Sequence, residues 1–235
     1  MEIKDVIILG AGTSKSEGAP LQNQLFKEFL EYYEQVLKGE EWHVLGEQEE
    51  QIVDYFKRFW GIDVHDTNNS EFPTFEECLG VLDLAYSRGE SFKGLSREEI
   101  ENIRNALIFL IATVLDTKLE RKIVHHKKLV ERLKQENKLK ETAFISLNYD
   151  IIIDNVLVDQ YPDYHLDYGI DFVNFKRRND NWREPEEEKS VLLLKIHGSL
   201  NWLYCPTCNH IELTPKRKGA IKAFYKVKNA ESVEH

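Results

Sequence analysis

The run Val6-Ile7-Ile8-Leu9, ended at once by Gly10-Ala11-Gly12, constrains the fold more than any other feature. Apolar residues with no polar residue between them must be hidden on both faces, which is the situation of a strand inside a parallel sheet. Parallel strands need long crossovers, usually helical, so the chain reads as an α/β protein. The apolar residues Leu21, Leu25, Phe29, Tyr33, Val36 and Leu37 then recur at helical spacing until Gly39 stops them.

That order recurs twice. Thr142–Leu147 reads as a second strand that runs into Asn148-Tyr149-Asp150 and a helical stretch, Ile151–Leu157. Val191–Ile196 reads as a third strand, ending in His197-Gly198-Ser199. All three strands deliver glycine or polar residues at their carboxyl ends, the edge at which open α/β sheets bind ligands. Between the first two strands the chain is helical in at least three pieces. Gln48–Trp60 is ended by Gly61; Thr74–Arg88 opens on the capping box Thr74-x-x-Glu77; Ser96–Arg121 opens on Ser96-x-x-Glu99. In the last piece Ile100, Ile103, Leu107, Leu110, Ile111, Val114 and Leu115 form one broad buried face. We read a helical insertion or layer over about residues 40–125 and a charged surface loop over 174–190, within a single domain spanning 1–235.

Composition narrows the class. With 42% hydrophobic and 31% charged residues the chain suits a soluble globular protein. No apolar run approaches the roughly 18 residues of a membrane span, and Met1–Asp5 holds no secretory h-region, so a cytoplasmic address and no membrane partner are expected. A formal net charge of −10 argues against a general nucleic-acid surface, and the basic stretch Lys216–Lys228 reads as a solvated terminus. Of the three cysteines, Cys78 falls in an apolar helical pattern and reads as core, while Cys205-Pro206-Thr207-Cys208 suits metal or redox chemistry better than a disulfide framework. Two thiolates with His210 nearby leave a four-ligand zinc site incomplete, so the expectation is a reduced, metal-free turn, with zinc at Cys205 and Cys208 as the alternative.

Taken one at a time, the strand-end residues have two readings each. Glycines before a helix let a pyrophosphate approach the backbone and its free N–H groups, or they form a tight structural turn. Asn148 and Asp150 could address a ribose, a nicotinamide amide or a water, or Asp150 could simply cap the next helix. His197 before Gly198 could be a general base or a satisfied core histidine.

Together the three elements resemble the sirtuin family. Gly10-Ala11-Gly12-Thr13-Ser14-x-Ser16-x-Gly18-Ala19-Pro20 is similar to its glycine-rich NAD motif, Ser146-Leu147-Asn148-Tyr149-Asp150 to its Thr-Gln-Asn-Ile-Asp element, and Leu194-Lys195-Ile196-His197-Gly198-Ser199 to the strand carrying its catalytic histidine. The resemblance spans residues 6 to about 215 and implies a Rossmann-like parallel sheet, NAD as substrate, and a small Cys-x-x-Cys module beginning near residue 202. It implies that Gly10, Ala11, Gly12, Thr13, Ser14, Gly18, Pro20 and Ser199 bind the dinucleotide, that Asn148 and Asp150 address the nicotinamide ribose and the attacking water, and that His197 is the base. Leu21-Gln22-Asn23 stands where the deacylases usually carry Asp-Phe-Arg, and Leu147 replaces the motif's Gln, so protein-lysine deacylation is disfavoured. Asn-Tyr-Asp with His-Gly-Ser-Leu-Asn-Trp is similar to bacterial sirtuin-like domains that destroy NAD, many of them in anti-phage defence. Cleavage of the nicotinamide-ribose bond is the expected activity, with a homo-oligomer or an effector or sensor partner as candidate partners; a non-catalytic NAD or ADP-ribose binding or regulatory module is the alternative. Residues 216–235 are too few to supply the further strands that hold the adenosine half of NAD in that family, so the reading expects a C-terminally incomplete domain or a compact variant.

Overall fold

The computed structural model describes residues 2–35, 46–64, 71–89, 91–118, 123–162, 165–172, 189–205 and 207–214. They divide into two compact units, one built from residues 1–19 with 118–235 and the other from 20–117. The second unit begins directly after Ala19. The reason is packing: Phe26, on the first helix of that unit, meets the Phe56 ring edge-on at 4.8 Å and is buried with it.

The sheet-bearing unit contains β1 (Asp5–Leu9), α1 (Ala11–Lys15), α6 (His125–Gln135), β2 (Thr142–Ser146), α7 (Ile152–Gln160), β3 (His165–Asp167) and β4 (Ser190–Lys195). The helical unit contains α2 (Leu25–Gln35), α3 (Gly46–Tyr55) continued by a π-helical turn at Phe56–Trp60, α4 (Phe75–Arg88) and α5 (Arg97–Lys118). Both capping boxes form. Thr74 accepts from the Glu77 N–H at 3.3 Å, Ser96 accepts from the Glu99 N–H at 3.2 Å, and each glutamate reaches back to the cap's own N–H. The periodic face of α5 is buried throughout. Cys78 is fully buried on α4, where burial pushes its thiol up to about 12, as expected of an inert core residue. No described helix is long and apolar enough to cross a membrane.

Four strands pair in parallel in the order β1-β2-β4-β3, compatible with a Rossmann-like fold. One face carries Leu9, Phe144, Val191, Leu193 and Leu166 and packs against Val130 and Leu133 of α6 and Ile153, Val156 and Leu157 of α7. The expectation that β1 is buried on both faces is corrected: Val6 and Ile8 are 56% and 64% exposed. Among the described residues β1 pairs with β2 alone, at the sheet edge, and α6 and α7 both lie against the opposite face.

Helix α6 was not expected from the sequence, because His125-His126-Lys127-Lys128 hides the spacing of Leu129, Val130 and Leu133. The three-residue strand β3 is likewise too short to carry a periodic signal. The expected loop at 174–190 falls mainly on residues outside those described, apart from Lys189 and Ser190, and Ser190 begins β4.

What opens α6 is Glu17, at the end of the glycine-rich segment. Its buried carboxylate accepts from the N–H of Val124 at 2.9 Å and of His126 at 2.8 Å, and lies 2.9 Å from the His126 ring Nδ1. Burial alone would push this carboxyl up; the donors win and hold it at about 2, against an ordinary 4.5. A depressed carboxyl stabilises the fold above its unfolded value and loses that contribution as the pH falls from about 4.5 toward about 2. Glu17→Gln is therefore expected to lower stability at neutral pH by about 2 kcal/mol and to flatten the loss between pH 5 and 3. Urea denaturation over a pH series measures both, and an unchanged acid slope would remove Glu17 from this role.

Candidate functional site

Strand register decides what reaches the ligand edge. Leu9 of β1 pairs with Ser146 of β2, and Ser146 pairs with Lys195 of β4, so three adjacent strands end at one level. Gly10, Leu147-Asn148 and Ile196-His197 are the residues that follow, and the Leu147 N–H donates to the Leu9 carbonyl at 2.9 Å to hold the first two ends together. The three sequence elements are thereby neighbours in space.

The glycine-rich segment turns straight into α1, a helix of only five residues. The Gly10 carbonyl accepts from the Thr13 N–H at 2.9 Å, the Thr13 hydroxyl at 2.7 Å and the Asn148 side-chain amide at 2.9 Å. A carbonyl can only accept, so the Asn148 Nδ2 must face it. The same amide donates to Ser14 Oγ at 2.8 Å, and nothing among the described residues donates to its Oδ1. Ser14 passes the chain on, donating to Asp150 Oδ2 at 2.6 Å. Asp150 Oδ1 accepts from the Ile152 N–H at 3.0 Å, so this carboxylate meets the first N–H of α7 on one side and grips the glycine loop on the other. Ser14 and Asp150 are 3% and 4% exposed; Asn148 is half-buried.

His197 is exposed on the turn after β4, with its ring centroid 6.3 Å from that of Tyr149 and the two planes at 47°. It is not a core histidine. The Tyr149 carbonyl accepts from the Leu200 N–H at 2.9 Å, fastening the β2–α7 loop to the segment beyond His197. Ser199 Oγ is buried with no partner among the described residues.

The glycines divide into two kinds. Gly18 and Gly198 sit at φ of 109° and 84°, where a side chain is strained, and Gly18 closes the turn after α1 by donating to the Lys15 carbonyl. Gly10 and Gly12 have no such φ, and a Cβ on either meets nothing within 4 Å. Neither the backbone nor the packing of this chain requires glycine there. Pro20 opens the helical unit and belongs to it.

Cys205 and Cys208 lie between β5 (Trp202–Tyr204) and β6 (Ile211–Leu213), an antiparallel pair. Both thiols are free and exposed, and the Cys208 N–H leads the hydrogen bonds that hold the Cys205 thiol below its ordinary value. No group of three or more His, Cys, Asp or Glu side chains suited to a metal ion occurs among the described residues.

Sequence reasoning missed a second buried cluster under this edge. Lys195, Asp154 and Tyr168 form it, and its one legible signal is a lysine inside the apolar run Val191–Ile196. No known protein-family model matches the chain, and no curated protein matches it.

The two kinds of glycine are separable by substitution. Gly12→Ala is expected to leave stability unchanged or raise it by about 0.5 kcal/mol, since alanine suits a helix better, whereas Gly18→Ala costs roughly 1–2 kcal/mol for a left-handed alanine. Thermal melts of the two variants check this; equal losses would mean that Gly12 is a structural glycine after all.

Proposed function

We propose that this chain is a sirtuin-like NAD glycohydrolase: water replaces nicotinamide on the ribose, giving ADP-ribose, nicotinamide and a proton. The observation that carries the reading is the shared level of β1, β2 and β4, which brings the glycine loop, Asn148 and His197 to one sheet edge from three distant parts of the sequence. Supporting it, Gly10 and Gly12 leave space that side chains would fill, as close approach of a pyrophosphate to the backbone requires. In this reading the sheet is a Rossmann-like nucleotide fold, and the hairpin with Cys205 and Cys208 begins the small module of the family.

The chain's residues then divide the work. The backbone of Gly10, Ala11 and Gly12 takes the phosphates, and the orphaned Ser199 hydroxyl is available to a ribose or phosphate oxygen. Asn148, with its amide nitrogen spent on Gly10 and Ser14, offers Oδ1 to orient a water or a ribose hydroxyl. His197 takes the proton as the water oxygen bonds to the anomeric carbon and nicotinamide leaves with the electron pair of the broken C–N bond. Asp150 and Ser14 act by holding this arrangement, because their polar atoms are already engaged inside the protein. Positioning of water beside an oxocarbenium-like centre is the main contribution asked of the site.

That internal engagement of Asp150 also favours a second reading, a module that binds NAD or ADP-ribose without turning it over. Nicotinamide release by the purified chain, measured with calorimetric NAD binding, separates the two. His197→Ala is expected to cut turnover by about 10²–10⁴-fold while leaving the melting temperature in place, since the ring is exposed. Gly12→Val is expected to weaken NAD binding in a folded protein. Binding without release assigns the second reading, and unchanged affinity in Gly12→Val removes the phosphates from this loop.

A further inference from the structure

Beneath the sheet edge lies a charged group that the proposed reaction does not use. The Lys195 side chain, at the end of β4, is fully buried; its Nζ donates to the main-chain carbonyl of Asp150 and lies 3.3 Å from Asp154 Oδ2 in the first turn of α7. The other oxygen of Asp154 accepts from the buried Tyr168 hydroxyl at 2.6 Å. Burial first, and then the neighbouring Asp154 charge, pushes that hydroxyl well above its ordinary value, so it remains a donor. A buried ion pair is a poor source of stability, because desolvation offsets most of the attraction. An apolar residue at position 195 would satisfy the core, yet the chain carries a lysine whose Nζ reaches both a loop carbonyl and the Asp154 carboxylate. That carbonyl belongs to the residue whose side chain accepts from the first N–H of α7 and from Ser14, which in turn receives the Asn148 amide.

We propose that Lys195 is a positioning residue for the reaction above, resting on that reading: its side chain, paired with the Asp154 carboxylate that Tyr168 holds, fixes the Asp150 peptide and through it the geometry of Asn148. Lys195 acts through Asp150 and touches no substrate. Loss of the cation leaves the β2–α7 loop free to rotate at the Asp150 peptide, so that Asn148 no longer presents Oδ1 in a fixed direction.

The experiment compares Lys195→Met and Tyr168→Phe with the parent chain in NAD turnover and in amide hydrogen exchange without ligand. Tyr168→Phe keeps the ring that packs edge-on against Trp202 and Phe172, and therefore decides the matter if Lys195→Met does not fold. In folded variants kcat is expected to fall roughly tenfold or more for Lys195→Met and less for Tyr168→Phe, with KM nearly unchanged. Exchange at the Asn148 and Ile152 amides, both hydrogen-bonded in the parent, is expected to rise while the rest of α7 stays protected. A lower melting temperature with kcat per folded molecule and loop exchange preserved would overturn the proposal and leave Lys195 a packing residue. If the parent chain releases no nicotinamide, the glycohydrolase reading fails by itself, and exchange then decides whether Lys195 fixes the loop: faster exchange supports it, unchanged exchange overturns it.

Discussion

The carboxylate of Asp150 is the interaction on which the sheet edge depends. It is buried, and a buried carboxylate persists only where donors replace its lost hydration. Here the donors come from two sides, the Ser14 hydroxyl of the glycine-rich segment and the Ile152 N–H at the start of α7. One group therefore links the first and second strand-loop-helix segments. Ser14 must stay in place because it is the partner of Asp150, and Asn148 because its amide is divided between Ser14 and the Gly10 carbonyl. The result is a hydrogen-bonded cluster of Gly10, Ser14, Asn148 and Asp150, beside which the His197 ring is exposed and the backbone at Gly10 and Gly12 is open.

This division explains why the same motif residues carry both structure and chemistry. Asp150 stands one residue before the N-cap of α7, Ile151, and accepts from the first N–H of the helix with one oxygen while the other holds the glycine loop. Glu17 extends the scheme to α6, whose first N–H groups it satisfies from the end of the glycine-rich segment. Two helices on one face of the sheet are thus started by acidic side chains, one from the segment that follows β1 and one from the loop that follows β2. A helix N-terminus favours a carboxylate through its unpaired N–H groups and its dipole, so each contact fixes a loop and opens a helix together.

The helical unit answers to simpler forces. Capping boxes at Thr74 and Ser96, the stop at Gly61 and the apolar stripe of α5 are all written in adjacent residues, and all form where the pattern placed them. The misses have physical causes of the same kind. Helix α6 spends its first turn on histidines and lysines, so its apolar positions are too few for a periodic signal, and its start depends on Glu17, more than a hundred residues earlier. The exposure of Val6 and Ile8 could not be read from an apolar run, because a run records what the residues are and not what covers them.

The sequence by itself determined the strand-loop-helix units, the α/β class and the identity of the residues at each strand's carboxyl end, because periodicity, capping and glycine stops act within a turn or a strand. Only the tertiary structure decided the order β1-β2-β4-β3, and with it the common level at which Leu9, Ser146 and Lys195 end. It alone set Asn148 against the Gly10 carbonyl, 138 residues away, and Lys195 against Asp154, 41 away. Contacts of that separation depend on closing long loops and on which faces pack, and a local pattern of residues encodes neither.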